Sequence, residues 1–286
     1  MQMKSAYGYG LLPTPHDARD FPFEKVFGAA SPATLPREYI VSQPLVIKDQ
    51  GDTDMCSAFA LTAVSEDQER LILDPAFSFA RTKRLIERAG GDPLAWGADL
   101  RSACKSATKK HGGFLPATAR GYNPAIAPTQ EERDAYARGD GMDKFEWSAR
   151  KFAKQSFFAV SGAYDTFDNI RSAMWRARSE ERSVLTGIDW NPGWNYRARG
   201  EVESGTGGNT YGHAIKLFGW SADWMLAQLS NGKEIGEGGI FKLHRNVVNE
   251  FCTYGSFTFM DLLREDAMYE LGRVGWLKYW LQSVFA

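Results

Sequence analysis

Cysteine is scarce. Cys56, Cys104 and Cys252 are the only three in 286 residues. They are too few and too scattered for a disulfide framework, so a reducing compartment is expected. No CxxC pair, no HExxH helix and no Gly-rich phosphate loop occurs, so the sequence makes no case for a metal or nucleotide site, and no cofactor is expected. Charge of one sign is missing too: the net charge is −1. This gives no electrostatic reason to expect nucleic acid or an anionic membrane as partner. Apolar runs are short, and none approaches the roughly 20 residues of a membrane helix. The opening stretch Met1-Gln-Met-Lys-Ser-Ala-Tyr-Gly-Tyr-Gly10 lacks the apolar core of a secretory signal, so a cytoplasmic location is expected. No internal repeat is visible. What remains is ordinary globular material, 43% hydrophobic and 24% charged, long enough for one large domain or two small ones.

Within that material one stretch is chemically distinctive: Lys48-Asp-Gln-Gly-Asp-Thr-Asp-Met-Cys-Ser-Ala-Phe-Ala60. A short strand-like segment, Leu45 to Ile47, leads into a polar turn and then into an Ala-rich helix. Cys56 falls at the junction. The first turn of a helix offers unpaired N–H groups and the positive end of the macrodipole, which favour an anion. A thiol there has its nucleophilic thiolate stabilised. Gln50 lies across the turn, where its amide can donate to an oxyanion formed beside the sulfur. The competing reading is a buried cysteine acting as a small hydrophobe.

Residues 1–45 read as an extended arm over the surface, rich in Pro and Gly. Helical spacing runs from Cys56 to about Leu73, with Ala58, Leu61, Ala63, Val64 and Leu71 inward and Glu66, Asp67, Glu69 and Arg70 outward. Asp74-Pro75 is read as its stop. Further helices are expected over 77–88 and 97–110, the latter capped by Asp99 and burying Cys104. Residues 46–143 form a helical lobe, with a short surface helix at 131–137. Residues 144–258 form a strand-rich lobe: strands at 156–160, 184–188, 213–218, 224–229 and 239–243, and one helix at 166–178. The polar, glycine-bearing stretch 190–210 reads as a mobile loop. Residues 259–286 form an apolar, aromatic extension with a helix face. The class is α+β, two lobes with a cleft between them.

A cysteine nucleophile needs a base, usually a histidine oriented by a third group. Of His16, His111, His213 and His244, His213 is best placed, at the start of the apolar strand Tyr211-Gly-His-Ala-Ile-Lys-Leu-Phe218. Its neighbour Gly212 lets a substrate or backbone approach closely.

These residues resemble the papain family of cysteine peptidases, most closely bacterial and viral members without a large propeptide. Gln50, Gly51, Cys56, Ala58 and Phe59 match its nucleophile block, and Leu11-Leu-Pro with Asp17-Ala-Arg-Asp20 matches the bacterial arm. Gly212-His-Ala214 matches the histidine strand, and Gly232 with Gly236-Glu-Gly-Gly-Ile-Phe241 the closing block. Thr53 and Ser57 depart from it, standing where the family often has a disulfide cysteine and a tryptophan. Laid on Gly232 and Gly236, the orienting Asn falls on Leu229 and its shielding Trp on Asn231. Either Asn231 or Gln228 then supplies the orienting carbonyl, or a Cys/His dyad works with a backbone or water acceptor. The resemblance implies an α+β papain-like fold, a helical N-terminal lobe against an antiparallel β-barrel-like lobe. It implies an endopeptidase hydrolysing peptide bonds through an acyl-enzyme on Cys56, with His213 as base and Gln50 in the oxyanion hole. Gly97 and Ala98 would form the cleft wall that pairs with an extended peptide or protein substrate. The alternative is a degenerate papain fold used for binding or structure.

Overall fold

The computed structural model describes residues 8–14, 17, 20–205 and 207–260. Its axis is α2 (Cys56–Glu69), buried on every side from Cys56 to Asp67. Small residues make this possible. Ala58, Ala60 and Ala63 let α3 (Pro75–Arg88) and α4 (Leu100–Ser106) approach on one side and strand β5 (Tyr211–Ser221) on the other. A helix between two layers has no solvent face. Glu66 and Asp67, expected outward, are therefore inside and paired: Glu66 with Lys48 at 2.8 Å, Asp67 with Lys216 at 2.5 Å. Asp74-Pro75 begins α3 and does not merely end α2. The Asp74 carboxylate accepts from the N–H groups of Ala76 and Phe77, and proline suits the first helical turn, where no N–H is needed.

The other helices are short: α1 (Phe23–Phe27) in the arm, α5 (Gln130–Arg138), α6 (Glu146–Ala149), α7 (Thr166–Arg176) and α8 (Arg245–Phe251). Thr129 and Glu132 close a capping box at the start of α5, and Asp165 caps α7. The strands are β1 (Glu38–Ile40), β2 (Ser156–Ala159), β3 (Val184–Trp190), β4 (Glu201–Val202), β5, β6 (Trp224–Gln228), β7 (Ile240–His244) and β8 (Ser256–Met260). They lie in the order β2-β8-β3-β5-β6-β7-β4, with β1 paired to the far end of β5. All pairs are antiparallel except β4 with β7. The sheet is open, not a closed barrel, with β2 and β4 at its ends.

Three differences from the sequence reading have physical causes. Leu45–Ile47 forms no strand, since the only ladder contact there is the bridge from Asp49 to Asn231. The first part of the stretch 190–210 is pinned, whereas 203–205 and 207–210 are exposed and carry no regular structure. Trp190 and Trp194 are buried edge-to-face at 5.1 Å, and the Trp190 indole N–H donates to Asn195 at 2.8 Å. Phe259 and Met260 end β8, whereas the helix expected beyond them falls at 261–286, outside the described residues.

Three apolar clusters hold the fold. One fills the β lobe under α7, around Trp190, Trp194, Trp220 and Phe241. One fills the helical lobe, around Phe59, Phe77, Phe79 and Leu115. The third joins the lobes: it contains Cys56, Leu61, Leu100, Leu185, Ala214 and, from the arm, Leu11. Cys56 thus stands where the lobes meet.

Candidate active site

Cys56 is the first residue of α2, and no side chain caps that helix start. The Ala58 and Phe59 N–H groups donate to the Met55 carbonyl at 3.0 and 3.1 Å, which leaves the Ser57 N–H to face the sulfur. Backbone hydrogen bonds from Gly10, Ala214 and Ser57 reach it and favour the thiolate, but burial outweighs them and pushes the thiol up to about 11. His213 lies on β5 opposite Ile188 of β3 and is fully buried. Its ring meets the Tyr9 ring edge-on at 4.9 Å, with Trp190 at 6.3 Å. Burial pushes it down to about 3; the Asn231 side chain beside it pulls the other way, although neither ring nitrogen has a hydrogen-bond partner among the described residues. In this state both groups are neutral, a thiol and an imidazole.

Of the three positions considered for the third group, only Asn231 faces His213. Leu229 is in the β-lobe core, and Gln228 donates to the Val46 carbonyl at 2.8 Å. Asn231 is placed by a short antiparallel contact between the lobes: it bridges to Asp49, Gln50 N–H donates to the Ser230 carbonyl at 2.7 Å, and Gly232 N–H to that of Lys48 at 3.0 Å. The same contact orients Gln50. The Ser230 hydroxyl donates to Gln50 Oε1 at 2.5 Å, so Nε2 must face the other way. There it donates to the carbonyls of Thr53 and Gly8, both at 2.7 Å.

Gly8 belongs to the arm, and the arm lies in the groove. Ala98 N–H donates to the Gly10 carbonyl at 3.1 Å, Leu12 N–H to the Ala98 carbonyl at 3.1 Å, and Leu11 N–H to the Gly212 carbonyl at 3.0 Å. The Trp96 indole donates to the Tyr9 carbonyl at 3.0 Å. Leu11 runs parallel to Ala98, its side chain close to Leu100, Gly187 and Tyr254. Asn195 donates to the Tyr9 hydroxyl at 3.1 Å, and the ring stacks on Tyr211 at 5.7 Å. All three positions expected to bind substrate, Gly97, Ala98 and Gly212, thus border this strand. Gly97 has a φ of +88°, and a Cβ there would lie 2.3 Å from the Gly10 carbonyl oxygen, so only glycine fits.

Gln50, Cys56, His213, Gly97, Ala98 and Gly212 each border the arm segment 8–12, and Asn231 lies beside His213. Sequence reasoning missed Tyr9, Trp96, Asn195 and Ser230. The small residues on both sides of Tyr9 were the available signal for a chain threading a narrow cleft. Among the described residues no group of His, Cys, Asp and Glu could hold a metal ion, and no helix is long and apolar enough to cross a membrane.

No family model matches the sequence, and no curated protein sequence matches it. Solved structures do. Xylellain, a cysteine protease from Xylella fastidiosa, superposes with a TM-score of 0.72 at 21% identity, over 92% of this chain and 99% of that one. Digestive procathepsin L 3 of Tenebrio molitor larval midgut gives 0.60 at 17% identity, over 89% and 76%. The Carica candamarcensis cysteine protease CMS1MS2, solved in complex with E-64, gives 0.54 at 14% identity, over 79% and 99%. The chain has the papain-like cysteine protease fold. At these identities the likeness speaks to fold, and the chemistry has to be argued from the groove.

Proposed function

We propose that the protein is a cysteine peptidase of papain type in a self-covered form. The observation that carries this reading is that Gln50 Nε2, Cys56 and His213 each meet one short stretch of the arm, at Gly8, Gly10 and Tyr9, along which the main chain of Ala98 and Gly212 also pairs. The arm shows how an extended chain fits there: the Gly8 carbonyl takes the Gln50 amide at 2.7 Å, while the Gly10 N–H lies toward the sulfur and favours its thiolate.

With the arm withdrawn, water reaches Cys56 and His213, and proton transfer between them becomes favourable. A peptide strand takes the Ala98 edge. The Cys56 thiolate attacks a peptide carbonyl carbon, and the oxyanion is held by Gln50 Nε2 and the Cys56 N–H, each such donor lowering the barrier by roughly 3 kcal/mol. His213 gives its proton to the departing amine as the C–N bond breaks, leaving a thioester. His213 then takes a proton from water, whose oxygen attacks the thioester and frees the carboxylic acid and Cys56. Asn231 holds the imidazole in the productive tautomer. The Leu11 site favours substrates with an apolar residue beside Ala98.

The test is turnover of fluorogenic leucine-containing peptides by the full chain with its arm displaced by Gly10→Ala, and with Cys56→Ala and His213→Ala each added to it as controls. Hydrolysis lost in both variants is expected; hydrolysis that survives Cys56→Ala would refute the reading. A second reading has its own observation. Cys56 and His213 are both neutral beneath an occupied groove, as a permanent peptide-binding module would have them. Peptide binding without turnover, indifferent to Cys56→Ala, would select that reading.

A further inference from the structure

Three buried charges outside the nucleophile constellation converge on the cleft wall. Asp54 stands two residues before Cys56 and is fully buried. Its carboxylate takes Arg133 Nε and Nη2 at 2.6 Å each and accepts the Gly97 N–H. Arg133, on α5, is 1% exposed. It also donates to the carbonyls of Leu94 at 3.0 Å and Ala95 at 2.9 Å, and its guanidinium lies over the rings of Phe79 and Trp96. Lys83, on α3 and fully buried, donates to the carbonyls of Ala95 at 2.6 Å and Gly97 at 2.7 Å and lies 3.8 Å from Asp54.

Three carbonyls and one N–H of the segment 94–97 thus end on these side chains. The next residue is Ala98, whose N–H and carbonyl grip the strand in the groove. Buried ion clusters are a weak way to gain stability, since apolar replacements often do as well. What such a cluster provides is geometry: a planar fork and fixed donors that set a backbone in register. All three cysteines are free, so no disulfide ties this turn to the wall.

We infer that Asp54, Arg133 and Lys83 are positioning residues that hold the wall 94–98 in fixed register with Cys56, so that Ala98 can pair with an extended peptide. The inference deepens the peptidase reading and, for its kinetic half, rests on it. Two variants test it. Asp54→Asn with Arg133→Met and Lys83→Met removes all three buried charges together, so that none is left unpaired, which protects folding. Arg133→Lys keeps the charge and loses the fork.

The first readout is amide hydrogen exchange on the full chain. Protection of Leu12 and Ala98 should fall about tenfold to a hundredfold, as expected for the loss of one or two main-chain bonds. The amides of α2 should stay protected. The second readout is the ratio of kcat/KM for a peptide long enough to lie along Ala98 to that for p-nitrophenyl acetate, which acylates Cys56 without reaching Ala98. Arm occupancy affects both substrates alike and cancels, so the ratio should fall by a similar factor. Unchanged protection of Leu12 and Ala98, or loss that spreads equally through α2, overturns the inference. If the chain cleaves no peptide even with the arm displaced by Gly10→Ala, the peptidase reading fails, and exchange alone still decides the role of the cluster.

Discussion

Replacing Gly10 by alanine should force the arm out of the groove and switch on Cys56 as a nucleophile. A Cβ at position 10 would lie 2.4 Å from the Asp54 Cβ and 2.8 Å from its Cα. Asp54 cannot yield, because Arg133 holds it on both oxygens. The arm must shift, taking with it the Gly10 N–H on the sulfur and the Gly8 carbonyl on Gln50. In the covered state burial pushes Cys56 up to about 11. Near pH 7.5 such a thiol is about 0.03% thiolate, whereas an ordinary exposed one, with a pKa of about 8.5, is about 10%. Iodoacetamide should therefore alkylate Cys56 roughly 300-fold faster in the variant, and faster still if access was also blocked. Peptide mapping by mass spectrometry reads the rate at each cysteine, and buried Cys104 reports any general unfolding. An unchanged rate at Cys56 would refute the claim that the arm controls its reactivity, as would equal acceleration at Cys104.

The covered state should be most stable between about pH 7 and 8. Burial holds His213 neutral down to about 3, so below the ordinary value of about 6.5 the open form takes up a proton that the closed form refuses, and opening gains about 1.4 kcal/mol per pH unit. Above about 8.5 the Cys56 thiol gives the same bias with the opposite proton movement, up to about 11. Leu12 amide exchange, corrected for intrinsic rates, should show this minimum; a flat profile would sink the assignment. Asn231→Ala should lower kcat by up to ~10⁴-fold with little change in KM, because the third group fixes tautomer and orientation, and loss confined to KM would show that Asn231 contacts substrate instead. Lys48→Met strands Glu66 and should cost about 3–5 kcal/mol in urea unfolding, recovered only in part when Glu66→Leu is added, because the buried Leu73 N–H then loses its acceptor.

The nucleophile block was legible because its chemistry is local: Gln50, a glycine turn and Cys56 at a helix start lie within a few residues. His213 was legible from its strand. The third group was only half legible, because Gln228, Leu229 and Asn231 lie within four residues at and beyond the end of β6, and only the fold separates their surroundings. The arm in the groove was not legible, since its grip is mostly main-chain and any sequence can make those bonds. Glu66, Asp67 and Arg133 defeated periodicity for a shared reason. Each looks solvent-facing on its own helix but meets a partner far away in sequence: Lys48, Lys216 and Asp54. The stretch 190–210 read as loose from its glycines, whereas two tryptophans fix its first part.

The central claim is that Cys56 and His213 act together on a peptide carbonyl once the groove is open. Its most direct test is to trap the thioester. The Gly10→Ala chain, mixed with a leucine-containing peptide ester and quenched in acid within milliseconds to seconds, should carry a single acyl group on Cys56 by mass spectrometry. The adduct should decay on longer incubation and be absent from the His213→Ala form of the same chain. No adduct on an alkylatable Cys56, or an adduct formed equally well without His213, would contradict the account.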